Sequence, residues 1–111
     1  MAVGFYSEVA IPVVATAAIT QFRGMTLAGG VPAAAANGGI AFTSGAIGDT
    51  VTMNVIGTAI AEAGAAFAAG TLLEFDSNAR LVTRASGVPV ARAITAASGA
   101  GVQAEVLLIP N

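Results

Sequence analysis

Residues Gly70 to Pro110 read GTLLEFDSNARLVTRASGVPVARAITAASGAGVQAEVLLIP, and this stretch decides the fold. Short segments with alternating apolar and polar residues are separated by glycines and by the sequence Asp76-Ser-Asn78. Alternation with a period of two is typical of half-buried β-strands, and Asp, Asn and Gly are the residues that tight turns favour. The stretch therefore predicts a train of β-hairpins.

The same periodicity continues upstream. Between Thr50 and Ile56, valine and methionine alternate with threonine and asparagine, which predicts another half-buried strand. Segments 72–75 and 80–84 flank the turn at 76–79, in which Asp76 can bond the backbone ahead of it and Asn78 tolerates a left-handed conformation. This arrangement predicts a hairpin. The alanine-rich stretches 32–36 and 59–69 are short or interrupted by glycine, so we expect connections there rather than helices.

Two segments look like copies of one unit. Residues 40–56 align with residues 91–107, which matches Gly48 with Gly99 and Val51 with Val102. Each segment reads as a strand, a glycine turn and a returning strand. The chain is therefore predicted to be all-β, a small antiparallel β-barrel or sandwich of hairpins with an extended N-terminal arm and little helix.

The first 21 residues differ from the rest. Pro12 is surrounded by Val9, Ile11, Val13 and Val14, and no glycine occurs between Gly4 and Gly24. One interpretation is an edge strand, where the missing N–H of proline is tolerated. The other is an arm that leaves the domain and pairs with a neighbouring subunit. We accordingly divide the chain into an arm or edge strand, residues 1–21, and a single β-domain, residues 22–111.

Charge is scarce in this sequence. The chain of 111 residues has four Arg, six Asp or Glu, and no Lys or His, while 56% of its residues are hydrophobic. A soluble domain normally carries roughly a quarter to a third charged residues on its surface, so we expect surface that is buried against partners. A net charge of −2 and scattered arginines argue against a nucleic-acid partner. No apolar run reaches the 18 or so residues that span a membrane, which argues against a membrane partner.

The sequence lacks the residue types on which most catalysis depends. Without His, Cys or Lys, the commonest general base, the thiolate nucleophile and the Schiff-base amine are all missing. Asp49 and Asp76 fall in predicted turns, and Gly99-Ala-Gly-Val-Gln-Ala104 matches a dinucleotide-binding pattern but precedes a strand instead of a helix. We expect no enzyme activity, no metal and no cofactor.

Several of these segments together resemble the capsid cement or head decoration proteins of tailed bacteriophages. The resemblance covers roughly Phe22 to the end. It is carried by GAAFAAG at 64–70 with TLLEFD at 71–76, by VPVARA at 88–93, by GVQAEVLL at 101–108, and upstream by GDTVTMNV at 48–55. It implies a structural virion protein on the outer capsid surface that cements neighbouring major capsid subunits, commonly as a homotrimer.

Within this interpretation we expect partner contacts at apolar residues of the N-terminal segment and of the last strand, and at one arginine, a residue type favoured in interfaces. Three other classes stay open: a tail-tube or similar self-assembling virion subunit, a carbohydrate-binding adhesive β-module and, least favoured, an enzyme. The expected contact residues are Phe5, Tyr6, Val9, Ile11, Arg23, Leu107 and Ile109.

Overall fold

The protein is all-β, as predicted. The computed structural model describes residues 7–111, with side chains from Val9 onward, and contains no helix in that range. Its strands are β1 (Ser7–Val14), β2 (Gly24–Met25), β3 (Gly39–Ala41), β4 (Thr50–Glu62), β5 (Leu72–Phe75), β6 (Leu81–Thr83), β7 (Ala91–Ala93) and β8 (Gln103–Leu108).

The strands form one antiparallel sheet that curls into a nearly closed barrel. Their order is β2-β3-β4-β8-β7-β5-β6, and β1 pairs with β4 outside this path. The two ends of the path approach each other, because the amide of Gly24 in β2 donates to the carbonyl of Ala79, just before β6, at 2.7 Å. The small antiparallel barrel expected from the sequence is therefore confirmed.

Strand β4 is the longest element and corrects one prediction. The sequence indicated a strand that stops at Ile56 and a connection from Ala59 onward. In the structure β4 runs through Gly57, which has a φ of 104°, and continues to Glu62. Its first part pairs with β1 and β3, whereas its last part pairs with β8. Ala59 and Ala61 are buried in this second part, so cross-strand packing decides their conformation and not the helix propensity of alanine.

Strand β1 is an edge strand of the same chain, one of the two structures that the sequence left open for this segment. The amide of Ala15 donates to the carbonyl of Asp49 at 2.8 Å, and Val13 lies opposite Val51. Alternate residues of an antiparallel strand bond to the same neighbour, so Ile11, Val13 and Ala15 bond to β4. The backbone of Pro12 points away from β4, where no donor is needed. The boundary between residues 21 and 22 stays a prediction.

The predicted hairpin is present as β5 and β6. Asp76 holds the turn, because its Oδ1 accepts the amides of Asn78 at 2.8 Å and Arg80 at 2.9 Å. The left-handed residue is Ala79, with a φ of 60°, and not Asn78, the residue of this turn that tolerates such a conformation best. The two hydrogen bonds to the Asp76 carboxylate place the left-handed residue of the turn one position after Asn78.

The barrel contains an internal repeat, and its two halves share β4. The bridge between Ile19 and Gly45 in the first half is repeated by the bridge between Phe67 and Ala97 in the second. The pairing of β1 with the first part of β4 corresponds to the pairing of the last part of β4 with β8. Loop hydrogen bonds repeat as well: the amide of Ala63 donates to the carbonyl of Val102 at 2.8 Å, as that of Ala15 does to Asp49.

The predicted pair of related hairpins is thus confirmed, but their alignment is shifted. Strand pairing makes Val51 equivalent to Ala104, and Gly48 equivalent to Gly101, instead of Val102 and Gly99. Small residues and glycines recur so often in this chain that the sequence alone does not fix the register.

Each half has its own core. The first core consists of Ala15, Ile19, Met25, Ala41, Val51 and Met53. Each of these residues has an equivalent in the larger second core, namely Ala63, Phe67, Leu73, Ala93, Ala104 and Val106. The two cores are related copies built on the two parts of β4.

Candidate functional site

Exposed apolar side chains are concentrated in the first half of the repeat. Of the eight large hydrophobic residues that are exposed in the described part of the chain, seven lie between residues 9 and 56. The charged residues show the opposite distribution, with three of ten in residues 1–56 and seven in residues 57–111. We call the seven exposed side chains of this half the apolar surface of the first half: Val9, Val14, Leu27, Val31, Phe42, Ile47 and Ile56.

The loop from Phe42 to Asp49 carries the most exposed of these side chains. Ile47 has an exposed fraction of 72% and lies between Gly45 and Gly48 in a tight turn. Asp49 stabilises the turn, because its Oδ2 accepts the amide of Ala46 at 2.9 Å. Ile47 is not among the contact residues expected from the sequence, although a large apolar residue inside a glycine turn indicates a side chain that cannot reach a core.

An open groove adjoins the first core. It has a volume of about 430 Å³, and none of the described residues that line it is charged. Thr26, Asn37 and Asn111 supply its polar atoms. Its apolar wall is formed by Ile11, Leu27, Met53, Val55, Ile56 and Pro110.

Pro110 and Asn111 contribute to the lining of this groove. The side chain of Asn111 pairs with the backbone of Gly38: its Oδ1 accepts the Gly38 amide at 2.8 Å, and its Nδ2 donates to the Gly38 carbonyl at 3.1 Å. The same Nδ2 also donates to the carbonyl of Ile109 at 2.7 Å. These contacts hold the last residues against the loop that precedes β3.

The expected N-terminal contact residues lie beside this groove where the structure describes them. Val9 is exposed and lies opposite the exposed Ile56 on β4. Ile11 is half-buried, packs against the first core and lines the groove. Phe5 and Tyr6 lie outside the described residues.

The expected contact residues of the last strand are placed differently from each other. Leu107 is 46% exposed and lies between Thr58 of β4 and Arg92 of β7. Ile109 is half-buried, and its amide donates to the carbonyl of Val90 at 3.0 Å. Leu107 is the exposed large hydrophobic residue of the second half, and its partner Thr58 lies two residues along β4 from the exposed Ile56.

Arg23 is engaged within the chain. Its guanidinium forms a bidentate ion pair with the carboxylate of Glu62. Nε donates to Oε1 at 3.2 Å, and Nη2 donates to Oε2 at 3.1 Å. Arg80 approaches the same carboxylate, with Nη1 3.6 Å from Oε2. Arg23 belongs to the first half, whereas Glu62 and Arg80 belong to the second, so this ion-pair network ties the halves together. Its role as a partner contact stays a prediction.

Glu74 stabilises the loop between β6 and β7. Its Oε1 accepts the amides of Ala85 at 2.8 Å and Gly87 at 3.0 Å. These hydrogen bonds favour the charged carboxylate and hold the pKa of Glu74 below the ordinary value for glutamate. The loop also contacts the first half, because the amide of Val88 donates to the carbonyl of Ala35 at 3.0 Å.

Among residues 7–111, no group of acidic side chains is arranged to hold a metal ion. In the same range the structure has no helix with the length and apolar character needed to cross a membrane.

Comparison with known proteins gives one family and one fold. A family model described as phage cement protein matches residues 6–108, so the match includes β1 and begins before the Phe22 expected from the sequence. The fold is similar to that in the crystal structure of the head fiber gp8.5 N base in bacteriophage phi29. The TM-score is 0.72 at 17% identity, covering 91% of this chain and 93% of that chain. No curated protein sequence matches significantly.

Proposed function

Because the chain belongs to the phage cement protein family, we propose that it clamps neighbouring major capsid subunits together through the apolar surface of its first half. The protein is a structural component of the virion and lies at the capsid surface. In the proposed role it catalyses no reaction and uses no cofactor, in keeping with a sequence that lacks His, Cys and Lys.

The unequal distribution of apolar and charged side chains supports this proposal most directly. Exposed apolar patches on soluble proteins mark interaction sites, and here seven of eight exposed large hydrophobic residues fall within residues 9–56. The second half carries most of the charge, which is suited to contact with water. The proposed orientation therefore has the first half against the shell and the second half facing solvent.

Mass action explains how such binding cements a shell. A protein that binds the assembled state and not the free subunits stabilises the assembled state by an amount set by its concentration and dissociation constant. Each copy needs to bury only modest apolar area, worth about 25 cal/mol per Å², because many copies act on one capsid. The stabilisation is then the sum over all occupied sites.

We further propose that the protein acts as a homotrimer. Three copies present three identical apolar surfaces, which suits positions where three capsid subunits meet. Linked binding sites also raise the effective concentration of each site for its partner, so a trimer binds more tightly than a monomer with the same contacts. Light scattering of the purified protein tests the self-association: we expect a trimeric mass, and a monomeric mass would contradict the proposal.

Binding to capsids that lack the protein tests the proposed orientation. The informative change is Ile47→Asp, which puts a charge on the most exposed apolar side chain of the first half. Full burial of such a side chain is worth roughly 1.5–3 kcal/mol, so we expect a loss of affinity of about tenfold or more. Co-sedimentation with the capsids and their thermal rupture temperature are the measurements.

Ala100→Asp provides the matched control, since Ala100 lies in the corresponding exposed loop of the second half. It should bind and stabilise capsids like the wild type. Equal binding by both variants, or a greater loss with Ala100→Asp, would contradict the proposed orientation. Binding that leaves the rupture temperature of the capsids unchanged would contradict the cementing role itself.

A further inference from the structure

The groove of the first half contains a chemically labile pair of residues. Asn37 and Gly38 line it side by side, and they form the only Asn-Gly sequence in the chain. An asparagine side chain can reach the backbone of the residues that follow it, and a glycine has no β-carbon to obstruct that approach. Because Asn37 is exposed, its side chain has room to turn toward the backbone nitrogen of Gly38.

The glycine of this pair is required by its surroundings. A β-carbon on Gly38 would lie 2.7 Å from the carbonyl oxygen of Met25 and 3.2 Å from Cε2 of Phe75. The first of these atoms belongs to the backbone and cannot move aside as the end of a side chain could. The packing of the barrel therefore keeps a glycine directly after Asn37.

Asn111 holds the backbone group that would have to attack the Asn37 side chain. Its Oδ1 accepts the Gly38 amide at 2.8 Å, and its Nδ2 donates to the Gly38 carbonyl at 3.1 Å. A third hydrogen bond, from Nδ2 to the carbonyl of Ile109 at 2.7 Å, fixes the position of this side chain. Attack requires the Gly38 amide to give up its proton and to turn toward Cγ of Asn37, and both changes break its hydrogen bond to Asn111.

We propose that Asn37 is a site of spontaneous deamidation and that Asn111 restrains the reaction. The amide nitrogen of Gly38 attacks Cγ of Asn37, and the bond between Cγ and Nδ2 breaks. The departing amino group takes up the Gly38 amide proton and leaves as ammonia. Water then opens the resulting succinimide at either carbonyl, which gives aspartate or isoaspartate. Water is the sole co-reactant, and nothing is oxidised or reduced.

The reaction puts a negative charge into a groove whose described lining residues are all uncharged. Leu27 and Ile56 line the same groove and belong to the apolar surface of the first half. Burial of an unpaired carboxylate against apolar groups is unfavourable, so the converted protein binds capsids more weakly. This consequence rests on the proposed function, whereas the chemistry at Asn37 does not.

Peptide mass spectrometry of protein aged in mildly alkaline buffer tests the chemistry, and enzymatic methylation of isoaspartate identifies the product. Asn78 is the internal reference, because it is also exposed but is followed by Ala79. We expect Asn37 to convert faster than Asn78 in the wild type, and faster still in Asn111→Ala. If Asn37 converts no faster than Asn78 in both proteins, the site is overturned.

The variant Asn111→Ala also measures the restraint. It should raise the rate at Asn37 at least threefold, the effect of about one net hydrogen bond, and leave the rate at Asn78 within twofold. The control Gln103→Ala, at an exposed position of β8, should leave both rates unchanged. An unchanged rate at Asn37 would overturn the restraint by Asn111. Equal acceleration at both asparagines would overturn it too, because it would reflect a general loosening of the barrel.

Co-sedimentation with capsids tests the consequence, with Asn37→Asp as the converted form. We expect Asn37→Asp to lower the affinity at least threefold. Asn78→Asp, which puts the same charge on the turn between β5 and β6, should keep the affinity within twofold. A wild type that does not bind capsids would overturn the proposed function and leave the deamidation site intact. Equal binding by the wild type and Asn37→Asp would overturn the effect of the charge alone.

Discussion

Phe75 and Leu27 occupy equivalent positions of an internal repeat, but Phe75 is fully buried whereas Leu27 is 64% exposed. The side chain of Phe75 therefore contributes to the core, whereas that of Leu27 contributes little to it. We expect Phe75→Ala to lower the free energy of unfolding by about 3–5 kcal/mol, because it removes a buried ring. Leu27→Ala should change it by less than about 0.5 kcal/mol. Urea unfolding followed by circular dichroism measures the free energy of unfolding of both variants. Equal losses would contradict the difference in burial between Phe75 and Leu27.

Gly24 is required by the ring of Phe75. Its β-position would lie 2.5 Å from the ring, and its φ is not in the left-handed region, so the objection to a side chain is purely steric. Gly24→Ala should destabilise the protein by about 1–3 kcal/mol, the usual cost of overpacking a core. The control is Gly99→Ala, where a β-carbon would meet nothing within 4 Å. If neither substitution lowered the free energy of unfolding, the ring of Phe75 would not lie as close to Gly24 as the structure shows.

The carboxylate of Glu62 links the two halves through Arg23 and Arg80. Glu62→Gln removes its charge but keeps its size, so we expect a loss of about 1.5–3 kcal/mol, the range for hydrogen bonds to charged groups. A double-mutant cycle with Arg23→Gln, measured by urea unfolding, isolates the pair. A coupling energy near zero would show that the network is no more than a surface ion pair.

Glu74 should make stability depend on pH at the acid end. Its pKa is lowered in the folded state by the amides of Ala85 and Gly87, so its contribution is complete above the unfolded pKa and is lost as the pH falls through the folded pKa. Wild type should therefore be more stable than Glu74→Gln at neutral pH, and the difference should shrink in acid. Urea unfolding at several pH values between about 7 and 3 measures it. A difference that grows in acid would contradict the sign.

The backbone of β1 should respond to proline in alternate positions. Val13 bonds to β4, whereas the neighbouring Pro12 points away from it. Val13→Pro should cost about 3 kcal/mol or more, because it removes a ladder donor, while Pro12→Ala should change stability by less than about 0.5 kcal/mol. Thermal unfolding distinguishes these outcomes, and similar losses at both positions would mean that the ladder has another register.

The sequence predicted best those features that depend on neighbouring residues. The hairpin at Asp76 follows from residues within one turn, and the tolerance for Pro12 follows from its missing N–H. The second part of β4 was missed because Ala59 and Ala61 adopt a strand only through pairing with β8, which is remote in sequence. The left-handed conformation fell on Ala79 because the carboxylate of Asp76 sets the turn.

The role of the expected contact residues stays a prediction. Val9 and Leu107 are exposed, while Ile11 and Ile109 are half-buried and Arg23 is held by Glu62. The groove could not be predicted from the sequence, because it depends on Leu27 occupying the position that is equivalent to Phe75 in the other half. That comparison needs the strand register, which the recurring alanines and glycines obscure.

Strand β4 has a consequence for how the molecule comes apart. Both cores are built on this one continuous strand, so melting either core would strip partners from the strand that supports the other. Although the barrel is a duplication, it should unfold in a single cooperative transition, with coincident curves from every spectroscopic probe. A copy that is perturbed on the capsid would then have no stable, partly folded form. It would be either fully native or fully unfolded.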